Sequence, residues 1–63
     1  MLGAKFVAGQ EVVLVGLVSR SDLEGKRGVV QFLDASSLPA RYAVSLADTG
    51  ECVRVLQANL QTI

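Results

Sequence analysis

Short apolar runs recur along this chain at spacings of roughly ten residues, each broken by glycine and charge, as in a small all-β fold. The clearest run is Ala40 to Leu46. Tyr42, Val44 and Leu46 fall on one side and Arg41, Ala43 and Ser45 on the other, the period-two pattern of a half-buried strand. Glu11 to Leu17 predicts the first strand. It is almost continuously apolar, which implies cover on both faces. Arg27 to Leu33 predicts the second, with Val29, Gln31 and Leu33 on one face and Val30 and Phe32 on the other. Glu51 to Leu56 predicts the fourth, with Val53 and Val55 alternating against Cys52 and Arg54. Val53, Leu56 and Leu60 also satisfy a helical spacing. The β-branched pair Val53 and Val55, following a turn, favours strand.

The connections follow from polar and glycine-bearing segments. Residues 1–9 read as a lead-in, with Gly9 allowing a turn before the first strand. Ser19 to Glu24 is a polar loop. Gly25 and Gly28 bracket Lys26-Arg27, which predicts a tight approach to the second strand with positive φ at one of the two glycines. Asp34 to Pro39 is a turn segment, and Asp48-Thr49-Gly50 a hairpin loop. Gln57 to Leu60 predicts one helical turn, and Gln61 to Ile63 a short closing strand. The expected architecture is all-β: a five-stranded SH3-like barrel over residues 1–63, with a short helical turn before the last strand.

Size then changes the picture. A chain of 63 residues makes one small domain. Such a domain buries only about 60% of the surface its unfolded chain exposes, so small folds lean on disulfides, metals or association. With one cysteine, Cys52, an intramolecular disulfide is excluded. Without histidine, one thiol and scattered carboxylates do not compose a structural zinc site. Association remains. The chain is 51% hydrophobic, more than so small a body easily hides, and a contiguous remainder marks an interface. Self-association or a protein partner is therefore expected.

Charge narrows the partner. Six basic residues balance six acidic ones, which counts against nucleic acid, whose binding draws on neutralisation of phosphates. No apolar run approaches the ~20 residues that span a bilayer. Residues 1–9 lack the pattern of a signal peptide, and an unpaired cysteine fits a reducing compartment, so an intracellular, cytoplasmic location is expected.

No residue set points to catalysis, and no cofactor is expected. Cys52 has no histidine to activate it and reads as a small buried or interface thiol. Gly25-Lys26-Arg27-Gly28 lacks the spacing of a phosphate loop. Asp22, Glu24, Asp48 and Glu51 read as solvated loop charges or surface ion-pair partners. The candidate binding residues are Arg20, Lys26, Arg27, Arg41 and Arg54. Arg41 and Arg54 lie on strands expected to pair, where they form a small basic patch if both face outward. With Phe6, Phe32 and Tyr42 as the aromatics and no tryptophan, an aromatic groove for proline-rich peptides is not expected. Phe32 and Tyr42 read as core, with the Tyr42 hydroxyl at its rim.

The stretch Gly25-Lys26-Arg27-Gly28-Val29-Val30 resembles the glycine-turn-strand core of KOW-type small barrels. The wider pattern of Gly16-Leu17, Leu23-x-Gly25-Lys26-x-Gly28, Arg41-Tyr42-x-Val44-x-Leu46, Val53-x-Val55 and Asn59-Leu60 resembles uncharacterised SH3-like domains that accompany other modules in eukaryotic, especially algal, proteins. These resemblances imply a non-catalytic interaction module, with a KOW-like nucleic-acid contact through Lys26, Arg27, Arg41 and Arg54 as the alternative. Phe6-x-x-Gly9-x-x-Val12, Tyr42-Ala43-Val44 and residues 50–63 also look like the plasmid-borne, trimethoprim-resistant dihydrofolate reductases, barrels that assemble as tetramers around a pore. That family's active-site strand carries Val-Gln-Ile-Tyr. Here Val53-Arg54-Val55-Leu56 stands in its place and lacks the glutamine and the tyrosine. What this likeness implies is a pore-forming homo-oligomer.

Overall fold

The computed structural model describes residues 6–36 and 38–63. Its five strands are β1 (Glu11–Leu14), β2 (Arg27–Asp34), β3 (Arg41–Leu46), β4 (Cys52–Leu56) and β5 (Leu60–Thr62). They form one antiparallel sheet in the order β4-β3-β2-β1-β5. One 3₁₀ turn, Ser21–Leu23, lies in the β1–β2 connection. Another, Gln57–Asn59, joins β4 to β5, where the sequence predicted a helical turn. Among the described residues no helix is long and apolar enough to cross a membrane.

β3 builds the centre as its alternation predicts. Tyr42, Val44 and Leu46 are buried on one face. Val12 and Leu14 of β1, Val30 of β2, Val55 of β4 and Leu60 of β5 join them in one apolar cluster. Burying a valine or leucine side chain contributes about 1.5–3 kcal/mol, so this cluster carries most of what holds the sheet. The β4 segment is strand rather than helix, with Val55 buried and Cys52 and Arg54 exposed.

Four expectations need correction. β1 stops at Leu14 rather than Leu17, and its outward residue Val13, like Val15 beyond it, is only half-buried. The next N–H, of Val15, donates to the Asn59 carbonyl at 2.9 Å, and beyond it Glu24 binds the backbone. Its carboxylate accepts the N–H of Gly16 at 3.0 Å and of Leu17 at 2.8 Å. The lead-in contributes one residue to the core: Phe6 is buried, with its ring edge-on to Tyr42 at 5.4 Å between centroids. The Phe6 N–H donates to the Tyr42 hydroxyl at 3.3 Å, so that hydroxyl lies inside rather than at a rim. Residues 1–5 of the lead-in, like Ser37 in the turn after β2, lie outside the described residues.

The fourth correction concerns β2. Val30 pairs with Val44, but Phe32, not Gln31, pairs with Ala43. The one-residue bulge at Gln31 reverses the alternation beyond it. Val30 faces the core, whereas Phe32 lies on the Ala43 side of the sheet and is 51% exposed. Leu33 pairs with Tyr42 but is exposed at the end of the strand, outside the core cluster.

Gly25 and Gly28 divide the work that the sequence assigned to them jointly. Gly25 takes the positive φ, +80°, in open space. Gly28 is the point of close approach. A Cβ there would lie 2.6 Å from Cγ1 of Val44 and 2.7 Å from the carbonyl oxygen of Ser45.

Candidate binding groove

β4 is the last strand at one end of the sheet, and the β1–β2 connection lies across from it. Between them runs an open groove of about 460 Å³. Its apolar lining comes from Leu14 and Leu23 on one side and Val53 and Val55 on the other. Val18, 91% exposed, stands at its margin. Arg20, Arg41 and Arg54 also line the groove, against a single acid, Glu51. Three of the five predicted binding residues are thus together. Lys26 and Arg27 do not line it.

Arg41 and Arg54 share the outer face of the sheet but are not directly opposite. Arg54 pairs with Ala43, and Arg41 pairs with Leu56 on β4 and with Asp34 on β2. The two arginines are therefore diagonal neighbours. Arg54 is held firmly. Its Nε donates to Asp34 Oδ2 at 2.9 Å, its Nη1 to Cys52 Sγ at 3.4 Å, and its guanidinium lies 5.2 Å from the centre of the Phe32 ring. Phe32, Ala43 and Arg54 form one row across three strands, and Ala43 in the middle is fully buried. Phe32 is therefore one side of a cation–aromatic contact rather than a core residue.

Asp34 is the hub of this cluster. The Ser36 hydroxyl donates to Oδ1 at 2.6 Å, and the Ser36 N–H to the same oxygen at 3.0 Å. These bonds, and then the one from Arg54, hold the Asp34 carboxyl at about 2 against an ordinary 3.8. The donors favour the charged carboxylate.

The other cations differ. The Arg20 Nε lies 3.3 Å from Asp22 Oδ1, and its Nη2 lies 3.9 Å from Glu51. Hydrogen bonding to Asp22 raises the Arg20 pKa. Lys26 Nζ donates to Asp48 Oδ2 at 2.6 Å, which raises the lysine pKa and lowers that of the aspartate. These are surface pairs of little energetic weight, but they occupy the charges. Arg27 and Arg41 have no ion pair among the described residues. Arg41 is the cation that is both in the groove and unspent.

Cys52 is exposed, so of the two readings, a buried or an interface thiol, the first does not hold. Its position at the outward-facing start of β4 explains this. Among the described residues no group of three or more histidine, cysteine, aspartate or glutamate side chains could hold a metal ion. Sequence reasoning missed the groove itself, because only the sheet order leaves β4 unpaired on one side. It also missed Asp34, whose Asp-x-Ser spacing with Ser36 was the available signal. Comparison with family models, curated proteins and solved structures finds no match to this chain.

Proposed function

We propose that this chain is an SH3-like barrel acting as a non-catalytic interaction module, and that it takes a protein segment in the groove beside β4. The barrel reading is supported by the single five-stranded sheet, by β1 pairing with both β2 and β5, and by a 3₁₀ turn before the last strand. The observation that carries the binding reading is the composition of the groove. An apolar lining with a charged rim is the anatomy of a recognition surface. The ligand is a segment of another protein, read by its backbone and by a few side chains.

Panning a random linear peptide library on the immobilised domain tests this reading, with the Val18→Glu variant as counter-selection. Val18 is exposed, so the variant keeps the fold and spoils the margin of the groove. The expected result is a set of peptides retained by the natural chain and lost by the variant. No enrichment, or enrichment indifferent to Val18→Glu, overturns it. Single-stranded RNA binding that falls steeply with salt and is lost in the Arg41→Ala, Arg54→Ala double variant favours the nucleic-acid reading instead. Light scattering across a concentration series separates a free monomer from a self-assembled oligomer.

A further inference from the structure

Resting on the interaction-module reading, we infer that the groove's ligand is an extended acidic segment that adds to β4 as a sixth strand, with an acidic side chain placed on Arg41. Among the described residues β4 pairs with β3 on one side only. The hairpin fixes which of its backbone groups are spent. The Leu46 N–H donates to the Glu51 carbonyl at 2.8 Å, so the bonded pairs that follow are Val44 with Val53 and Tyr42 with Val55. The intervening residues Cys52 and Arg54 turn their N–H and C=O groups away from β3. An unpaired edge of this kind is a template for another strand. Five residues of β4 present about 16 Å of edge at the usual rise per strand residue.

Charge selects the occupant. The lining carries three arginines and one glutamate. Arg54 is bound to Asp34 and Arg20 to Asp22, so Arg41 is left to meet an incoming carboxylate. A guanidinium suits that task because it binds a carboxylate through two parallel N–H groups. A second copy of the same strand suits the edge poorly. An antiparallel pairing of β4 with itself over all five residues sets Arg54 opposite Arg54, and like charges directly opposite are destabilising. The edge thus repels its own kind and attracts an acidic strand.

The probe is a blocked hexapeptide of alternating valine and glutamate, with a valine–lysine peptide as its counterpart. Both are titrated into the isotope-labelled domain and followed by amide exchange and by resonance shifts. The valine–glutamate peptide is expected to slow exchange at the Cys52 and Arg54 N–H groups about tenfold, and the lysine peptide to leave them unchanged. Arg41→Glu should weaken binding about tenfold or more. Cys52→Pro removes an outward N–H at the first residue of the strand, where proline is tolerated, and should weaken binding as much. Cys52→Ala should not. If the peptide shifts Val18 but leaves exchange at Cys52 and Arg54 unchanged, edge addition is overturned while the module reading stands. Equal binding of the lysine peptide, or library ligands in the groove with no binding by the valine–glutamate peptide, overturns the acidic occupant alone. Protection of the same N–H groups that grows with protein concentration and without peptide assigns the edge to a second copy and overturns the proposal. Failure of this peptide and of every library peptide overturns both readings.

Discussion

The two halves of β2 obey the same alternation and reach opposite ends. Before the bulge at Gln31, Gly28 and Val30 face inward, and their partners Leu46 and Val44 are buried core. Beyond it, Phe32 faces outward, half-exposed, against a guanidinium. The first half is held by contact distance and tolerates no added atom. The second is held by charge and by the face of an aromatic ring, at a surface that stays open to water. One inserted residue therefore separates the part of the strand that packs the core from the part that holds Arg54, a residue of the groove lining. A valine and a phenylalanine two positions apart in one strand do different work.

The sharpest way to break this comparison is to add one methyl group to the first half. Gly28→Ala puts a carbon 2.6 Å from Val44 Cγ1 and 2.7 Å from the Ser45 oxygen. The valine is buried and β-branched, and the oxygen belongs to the backbone of β3, which is paired on both sides, so neither yields readily. Overpacking of this severity costs about 3 kcal/mol or more. For a domain of this size that approaches the whole of its stability, of order 3–9 kcal/mol. Gly25→Ala is the matched control, with open space but a left-handed φ, and costs about 1–2 kcal/mol. Urea unfolding of both variants checks the order. Equal losses show that the close approach at Gly28 relaxes at little cost.

These halves were unequally legible in the sequence. The inward positions of β3 could be read because Tyr42, Val44 and Leu46 alternate without interruption, although Ala43 on the other face is buried as well. The turn glycines could be read because φ is a local property. The bulge could not. Gln31 differs in no local way from any polar strand residue, and the extra residue exists only relative to β3. Phe6 joined the core without a periodic neighbour to announce it. The groove residues were half legible. Arg41 and Arg54 were placed on one face by strand parity, but the sheet order and a partner twenty positions away, Asp34, decide which of the two is free.

Tyr42 ties the lead-in to the strand that both halves of β2 pair with. Tyr42→Phe keeps the ring contact with Phe6 and removes the hydroxyl that accepts the Phe6 N–H. Leaving a buried donor unpaired costs about 1–3 kcal/mol. Faster exchange at the Phe6 amide, with a lower urea midpoint, is the expected pair of results. A lowered midpoint with unchanged Phe6 exchange places the loss elsewhere around the ring.

A smaller effect is expected on the outer face. Phe32→Ala, Arg54→Ala and the double variant close a thermodynamic cycle for the contact at 5.2 Å. An exposed cation–aromatic pair should couple by about 0.5–1 kcal/mol. A large loss for Phe32→Ala alone, on the scale of a core phenylalanine, contradicts the division of β2 at Gln31. Zero coupling shows that Arg54 is positioned by Asp34 without help from the ring.

Asp34 offers the gentlest probe, because its charge can be removed by acid without changing an atom of the chain. Its carboxyl sits at about 2 in the folded protein against an ordinary 3.8, so folding favours the carboxylate. The sign follows from linkage: the folded state binds its proton less readily than the unfolded chain. The stabilisation is present in full above the ordinary value. It fades as pH falls from about 3.8 to about 2 and is gone below the folded value. Arg54 stays charged throughout that range, so the change belongs to the carboxylate. Asp34→Asn should accordingly show a lower urea midpoint than the natural chain near neutral pH. The difference should shrink over that acid window until the two coincide. Salt should reduce the part due to Arg54 and leave the bonds from Ser36, because only the former is a charge–charge attraction across exposed surface. A carboxyl resonance that titrates near the ordinary value separates Asp34 from Ser36 and Arg54 in solution. Arg54 is then a second free cation beside Arg41, and the outer half of β2 loses its claim to hold the rim of the groove in place.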